Sequence, residues 1–331
     1  MAIKALAWMV RVFEPPVYCY HEIVHNRLVV EEFRRQGVVF VDDVDEVPPF
    51  APLMLSAHGS APEVEQAAAM NGRIVVDACC PLVTKVHHEL KVRARKGYTI
   101  LYVGHAGHEE AIGTMAVAPE AVHLVEHEAD LDGLELDEGT PVALLAQTTL
   151  AHDEWDGIVD YAHERFPELW MPGRSDLCYA TTNRQSAVKA VAPRCDAMVV
   201  LGSGNSSNTV ALAKVAVSAG CPRVLRVNAP SEVPDDLAGV VGVTAGASAP
   251  DWLISDLLER LAPARGVEVV RTTVEDEYFP PPPELRDLLR CLNLAASITH
   301  GTPLQDSPAI ATDREVTAAD MLAATSIGHS A

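Results

Sequence analysis

Two cysteines in this sequence stand where a thiol can do chemistry. In "VVDACCPLV" an apolar run ends at Asp77, and Cys79 and Cys80 stand side by side before Pro81. Adjacent cysteines rarely bridge each other, because the ring they would close is strained. Proline favours the first position of a helix. Cys80 is therefore expected at a helix cap, where the dipole favours thiolate. Cys79, one residue back on the other side of the strand end, reads as a small buried hydrophobe. "DLCYATTNRQSAV" repeats the pattern, with Cys178 before a threonine-rich helix start. Two such thiolates suit a soft metal centre, but they lie far apart in sequence, and two unrelated thiols are the plainer alternative. Cys195, Cys221 and Cys291 have no such setting and read as structural.

The histidines fall in short motifs, "HEIVHN", "SAHGS" and "GHAGHEE". A lone histidine is usually structural or on the surface, but three loops that each carry one form a pattern. With "NSSN" and "GASAP" they offer neutral or weakly cationic donors, suited to an anion such as diphosphate. There is no phosphate-cradling GxxxxGK[ST] loop. "GSGNSSN" lacks the third glycine and the acidic partner of a dinucleotide site. Glu109 and Glu110 follow His108. They read either as solvated carboxylates at a helix start or as a buried proton donor with a raised pKa.

These groups need elements to hold them. Seven apolar runs each end in a small or polar loop: "PLMLSAHGS", "RIVVDACCP", "YTILYVGHAGHEE", "PVALLAQTTL", "AMVVLGSGNSSN", "RVLRVNA" and "GVVGVTAGASAPD". Runs such as "IVV" and "MVVL" do not alternate, so they suit strands buried on both faces. Interleaved with helices, they predict parallel sheets and an α/β fold. Ligands in such folds sit at the carboxyl ends of strands, and here those ends carry His58, Cys80, His108, Gln147, Thr148, Ser206, Asn208 and Ser248. The opening "MAIKALAWMVRVF" places Ile3, Leu6, Val10 and Phe13 on one helix face. Breaks near Pro81 and Pro172-Gly173 divide the chain into 1–80, 81–173 and 174–277. "YFPPPPEL" closes the packed region, and "LRDLLRCLNL" can form one helix. From about residue 297 the chain is rich in Ala, Ser and Thr without a sustained period, so 278–331 is expected to be a proline-rich segment and a poorly ordered tail.

Bulk composition sets limits. The chain has 331 residues and 48% hydrophobic content, with no unbroken apolar stretch long enough to span a membrane and no signal-like start. Seven scattered cysteines, an odd number, argue for reduced thiols and a cytosolic setting. A formal charge of −21 argues against non-specific nucleic-acid binding.

Taken in order, "HEIVHN", "SAHG", "CPLVTKVH", "GHAGH", "QTTL", "CYATTNRQ", "NSSN" and "VTAGASAPD" resemble one family, the LytB-type 4-hydroxy-3-methylbut-2-enyl diphosphate reductases, over about residues 1–285. The resemblance implies three α/β domains with small parallel sheets, in a pseudo-threefold trefoil around a central [4Fe–4S] cluster. It implies a reaction that removes a hydroxyl reductively from an allylic diphosphate to give isopentenyl and dimethylallyl diphosphate. Cys80 and Cys178 fall on two cluster ligands, and Cys79 does not. The diphosphate-binding positions fall on His25, His58, His108, Ser206, Ser207, Asn208 and Ser248. The proton-relay glutamate falls on Glu110, and the "QTT" element on Gln147, Thr148 and Thr149. Glu109 stands where the family often has proline. The electrons are implied to come from a ferredoxin or flavodoxin, with no nucleic-acid or membrane partner.

The family's first cluster cysteine belongs to a "GFCAG"-type loop before its first helix, whereas this sequence begins inside that helix at "MAIKALAW". The resemblance therefore implies an N-terminally truncated member. Cys19, in "PPVYCYHE", lies in an expected strand rather than at a helix cap and is not a natural substitute. Two alternatives follow: a cluster-deficient relative that binds a diphosphate without catalysis, and a zinc protein using Cys80, Cys178 and a histidine. The stretch "KVHHELKVRARKG" reverses the local charge of an acidic protein. It reads either as a solvated helix face or as a docking patch for an acidic electron donor.

Overall fold

The computed structural model describes residues 1–137, 139–300 and 313–327. It contains three parallel sheets flanked by helices, an α/β fold. Helix α1 (Ala2–Val12) leads into β1 (Val17–Tyr20), α2 (Arg27–Arg35), β2 (Val38–Val41), β3 (Pro52–Leu55), α3 (Pro62–Ala68) and β4 (Ile74–Asp77). Next come α4 (Pro81–Arg95), β5 (Thr99–Val103), α5 (Glu109–Met115), β6 (Val122–Val125), α6 (Glu128–Asp132) and β7 (Val142–Ala146). Helices α7 (His152–Arg165) and α8 (Tyr179–Val191) precede β8 (Ala197–Leu201), α9 (Ser207–Ser218), β9 (Val224–Val227), β10 (Val241–Ala245) and α10 (Asp251–Leu261). Two helices close the described chain, α11 (Pro283–His300) and α12 (Ala318–Ile327).

The sheet orders are β2-β1-β3-β4, β6-β5-β7 and β10-β8-β9. Each is the same arrangement. The first strand of the unit is central, the second lies on one side and the third on the other. The seven apolar runs become β3, β4, β5, β7, β8, β9 and β10. β7 and β8 are buried along their whole length, as non-alternating runs in a covered parallel sheet should be. Strands β2 and β6 did not stand out in the sequence. Each is four residues long and lies at a sheet edge.

Helix α1 buries Ile3, Leu6, Met9 and Val10 against the first sheet, and no side chain caps its start. Residues 313–327 depart from the expectation of a poorly ordered tail. Met321 and Leu322 of α12 join the core around α1. Lys4, on α1, is buried and places Nζ 2.8 Å from Asp313 Oδ2, which also accepts from Tyr278 Oη at 2.8 Å. A single buried ion pair and two apolar anchors leave no periodic signature, so composition pointed the wrong way. Residues 301–312 and 328–331 of that expected tail lie outside the described residues.

Candidate functional site

In each sheet the connections leave the central strand in opposite directions, which opens a crevice at the carboxyl ends between the first and third strands. The loops at these three crevices carry nearly every predicted site residue. His25 follows β1 and His58 follows β3. His108 follows β5, and Gln147, Thr148 and Thr149 follow β7. Ser206 follows β8 and Ser248 follows β10. Ser207 and Asn208 open α9.

His25 and His58 stack with centroids 4.1 Å apart and planes 12° apart, and His108 meets them edge-on at 5.3 and 6.0 Å. His108 caps α5 by accepting from Glu110 N–H at Nδ1, 3.2 Å away. That fixes its proton on Nε2, a buried donor without a hydrogen-bond partner. Burial first, then His58 and His25, pushes the His108 pKa down to about 3, so it is a neutral donor. His25 Nε2 has no hydrogen-bond partner, its Nδ1 lies 3.6 Å from Glu22 Oε2, and both side-chain polar atoms of Asn208 are buried and unmatched. Buried polar atoms without partners are costly. Unmatched polar atoms in loops at all three crevices fit a polar ligand. Ser206 Oγ caps α9, Ser207 Oγ lies 3.4 Å from Gln147 Nε2, and Ser248 Oγ donates to His25 O at 3.5 Å. Asn26 was not singled out in the sequence. Its Oδ1 caps α2 and its Nδ2 donates to Ser248 O at 3.0 Å, tying the first crevice to the third. The His58 loop is seated equally closely. A Cβ on Gly113 would come within 2.6 Å of Gly59 O, and one on Gly59 within 2.9 Å of His87.

Glu110 is buried, at 2% exposure. Its Oε1 accepts from Thr148 N–H at 2.7 Å and its Oε2 from Thr148 Oγ at 2.9 Å. Burial raises its pKa to about 7, against the pull of the two Thr148 bonds and with help from the Asp176 charge. A carboxyl that holds a proton near neutrality can act as a general acid. Gln147 Nε2 donates to Thr149 Oγ at 2.9 Å and its Oε1 accepts from His105 N–H at 2.9 Å, which fixes the whole "QTT" turn.

The two predicted capping cysteines sit as expected. Cys80 is the N-cap of α4 and Cys178 the N-cap of α8. Their own N–H groups reach into the crevice loops, Cys80 to Ala57 O at 3.0 Å and Cys178 to Thr148 O at 2.8 Å. No side-chain hydrogen bond caps either helix at these thiols, though the N–H groups of Leu82 and Val83 and of Ala180 and Thr181 at the two helix starts favour charge on sulfur. Burial nevertheless pushes the Cys80 thiol up to about 11 and raises Cys178 too. The helix termini favour charge on sulfur, but only a cation in place of the proton would make these thiols thiolates. All seven cysteines are free. Two thiols at helix starts, with Cys80 feeling the charges of Cys178 and Glu110, fit a thiolate-held iron–sulfur group. Cys19 lies fully buried in β1, its pKa pushed far up by burial, and is no ligand here.

The LytB protein family model matches residues 1–262. The chain is 47% identical over 293 residues to the 4-hydroxy-3-methylbut-2-enyl diphosphate reductase of Rhodopirellula baltica, covering 86% of this chain and 91% of the relative. The chain belongs to the LytB family. It is also 48% identical over 278 residues to the reductase of that name from Mycolicibacterium paratuberculosis, covering 82% and 83% of the two chains. Among solved structures, it resembles the E-1-hydroxy-2-methyl-but-2-enyl-4-diphosphate reductase from Plasmodium falciparum, with a TM-score of 0.83, 29% identity and 88% and 93% coverage. A structure titled as the terminal enzyme of the non-mevalonate pathway gives a TM-score of 0.57 at 29% identity, with 79% and 95% coverage.

Three sequence-based expectations for this LytB chain change in the structure. Cys79 is half-buried rather than a core hydrophobe, and its Sγ accepts from Thr84 Oγ at 3.4 Å. Glu109 is not a solvated carboxylate. It lies 2.7 Å from His58 Nδ1 and 3.6 Å from His21 Nδ1. On α4, Lys85 bonds Asp176 and two loop carbonyls, while Arg93 lies 3.6 Å over the Trp170 ring and pairs with Glu89. The exposed cations of that helix are Lys91, Arg95 and Lys96.

Proposed function

We propose that this chain reduces 4-hydroxy-3-methylbut-2-enyl diphosphate to isopentenyl and dimethylallyl diphosphate, the last step of the non-mevalonate route. The observation that carries the proposal is Glu110, a buried acid titrating near neutrality between an unfilled set of anion donors and two helix-capping thiols. Cys80 and Cys178 would hold a [4Fe–4S] cluster. When bound, the cluster supplies electrons one at a time and a Lewis-acidic iron.

The remaining work falls to the chain. His108 Nε2–H, His25, His58, Asn208, Ser206, Ser207 and Ser248 grip the diphosphate and fix the allylic carbon against the thiols, a positioning effect. Gln147 and Thr149 shape the turn that carries Thr148. Glu110, held by Thr148, gives its proton to the departing hydroxyl, which leaves as water. A second proton and two electrons complete the new C–H bond. The electron donor is an acidic ferredoxin or flavodoxin approaching Lys91, Arg95 and Lys96, the locally cationic face of a −21 protein. No described helix is long and apolar enough to cross a membrane, and we place the reaction in the cytoplasm.

Anaerobic reconstitution with iron and sulfide tests the assignment. Cys80→Ser and Cys178→Ser should abolish the visible iron–sulfur absorbance and turnover, while Cys79→Ser keeps most of both. Equal loss from Cys79→Ser, or zinc in place of iron, overturns it.

A further inference from the structure

An ionised carboxylate beside an anion-binding pocket ordinarily weakens binding by repulsion. Glu109 is such a group, and the structure ties it firmly in place. Oε2 lies 2.7 Å from His58 Nδ1 and Oε1 3.6 Å from His21 Nδ1. His21 takes a left-handed backbone, φ 58°, and stacks on Tyr20 at 4.0 Å. That conformation is uncommon outside glycine, so the loop after β1 is held here at some cost. Burial alone would raise the Glu109 carboxyl, but the imidazole of His21 and the hydrogen bond from His58 outweigh it and hold the group well below the usual carboxylate range. The Glu109 carboxylate conversely raises His21, while burial lowers His58. Before ligand binding, then, Glu109 is held as an anion, His21 is biased toward its charged form, and His58 is biased toward a neutral imidazole whose Nδ1–H faces Glu109.

A neutral His58 in that tautomer presents a bare Nε2 lone pair, which cannot donate to a phosphate oxygen. It becomes a donor only by gaining a second proton. The groups facing it set the cost. His25 is stacked on it from the loop after β1, His108 lies edge-on at the start of α5, and His21 and Glu22 lie behind His25. Against these, Glu109 is the only carboxylate bonded to the ring among the described residues.

We propose that Glu109 positions His58 for the substrate diphosphate and lets its imidazole take up a proton when the diphosphate binds. The carboxylate keeps Nδ1–H fixed, so the incoming proton enters at Nε2 and points at the anion. This is the orienting role that carboxylates play behind ligating or catalytic histidines. It explains why a negative charge is tolerated beside the pocket, and it rests on the assignment of the histidine cluster as the diphosphate site.

The test is calorimetric titration of the anaerobic holoprotein with inorganic diphosphate, in two buffers of different ionisation heat at one pH. The ligand's own protonation is common to all variants, so differences between them report on the protein. Glu109→Ala should weaken binding about tenfold, as loss of a charge-assisted hydrogen bond does, and should remove most of one proton of uptake. In steady-state assays it should raise KM and leave kcat within a few-fold. Glu109→Gln keeps an acceptor at Nδ1 but no charge, so it should lose the uptake and weaken binding nearly as much as Glu109→Ala. His58→Ala combined with Glu109→Ala should bind no more weakly than His58→Ala alone. Unchanged or tighter binding in Glu109→Ala with uptake intact, while His58→Ala is weak, overturns this inference and leaves the pocket assignment standing. Unchanged binding in His58→Ala overturns both.

Discussion

Replacing Glu110 with Gln should produce two effects of opposite sign. Its pKa of about 7 compares with about 4.3 for an exposed glutamate. At pH 7 about half the molecules therefore carry the proton needed to expel hydroxide. The shift is also a stability statement. A folded pKa raised above the unfolded one leaves stability intact below about pH 4, and stability is lost as pH rises through about 7. At pH 8 the buried charge costs the wild-type protein on the order of 3 kcal/mol, falling to about 1 kcal/mol by pH 5. Gln preserves the local bonds, because its oxygen accepts from Thr148 N–H and its amide donates to Thr148 Oγ, but it cannot titrate. Turnover should fall about 10²–10⁴-fold, the usual worth of a general acid. Denaturant unfolding at pH 5, 6, 7 and 8 should show the variant gaining on the wild type as pH rises. A parallel pH dependence for the two proteins would refute the buried titrating acid. A loss of turnover below about tenfold would refute its catalytic use.

Asp313→Ala should destabilise the protein by about 2–4 kcal/mol, because it leaves the buried Lys4 ammonium with only the backbone carbonyls of residue 313 and Val316 and no counter-charge. Urea unfolding measures this, and a change under about 1 kcal/mol would mean that the α1–α12 contact is incidental. Reversing Arg95 and Lys96 to Glu should slow turnover with a protein donor and spare turnover with a small chemical reductant. Equal response to both reductants would reduce the patch to a solvated helix face. Arg93 is unsuited to this test, since its place over Trp170 makes it structural.

Much of this protein was legible without a structure. Unbroken apolar runs such as "MVVL" demand burial on both faces, which in turn demands parallel strands under helices. Each run ends at a short polar loop, so His58, His108, Gln147 and Ser206 fell at strand ends by chain order alone. Proline after Cys80 announced a helix cap, and the cap was there. These features are local, and local chemistry sets them.

What remained depended on atoms distant in sequence. Strands β2 and β6 are short edges whose residues are partly exposed, so neither burial nor alternation marks them. The tail's hold on α1 spans 309 residues through Lys4 and Asp313, a pair that no sequence period reveals. Glu109 and Glu110 are neighbours with equal chemistry, yet successive side chains on a helix point in different directions. One turns to His58 and is held ionised, and the other turns to Thr148 and keeps its proton near neutrality. The residue types alone supply two carboxylates. Their roles come from the dielectric and the partners that the folded chain places around each.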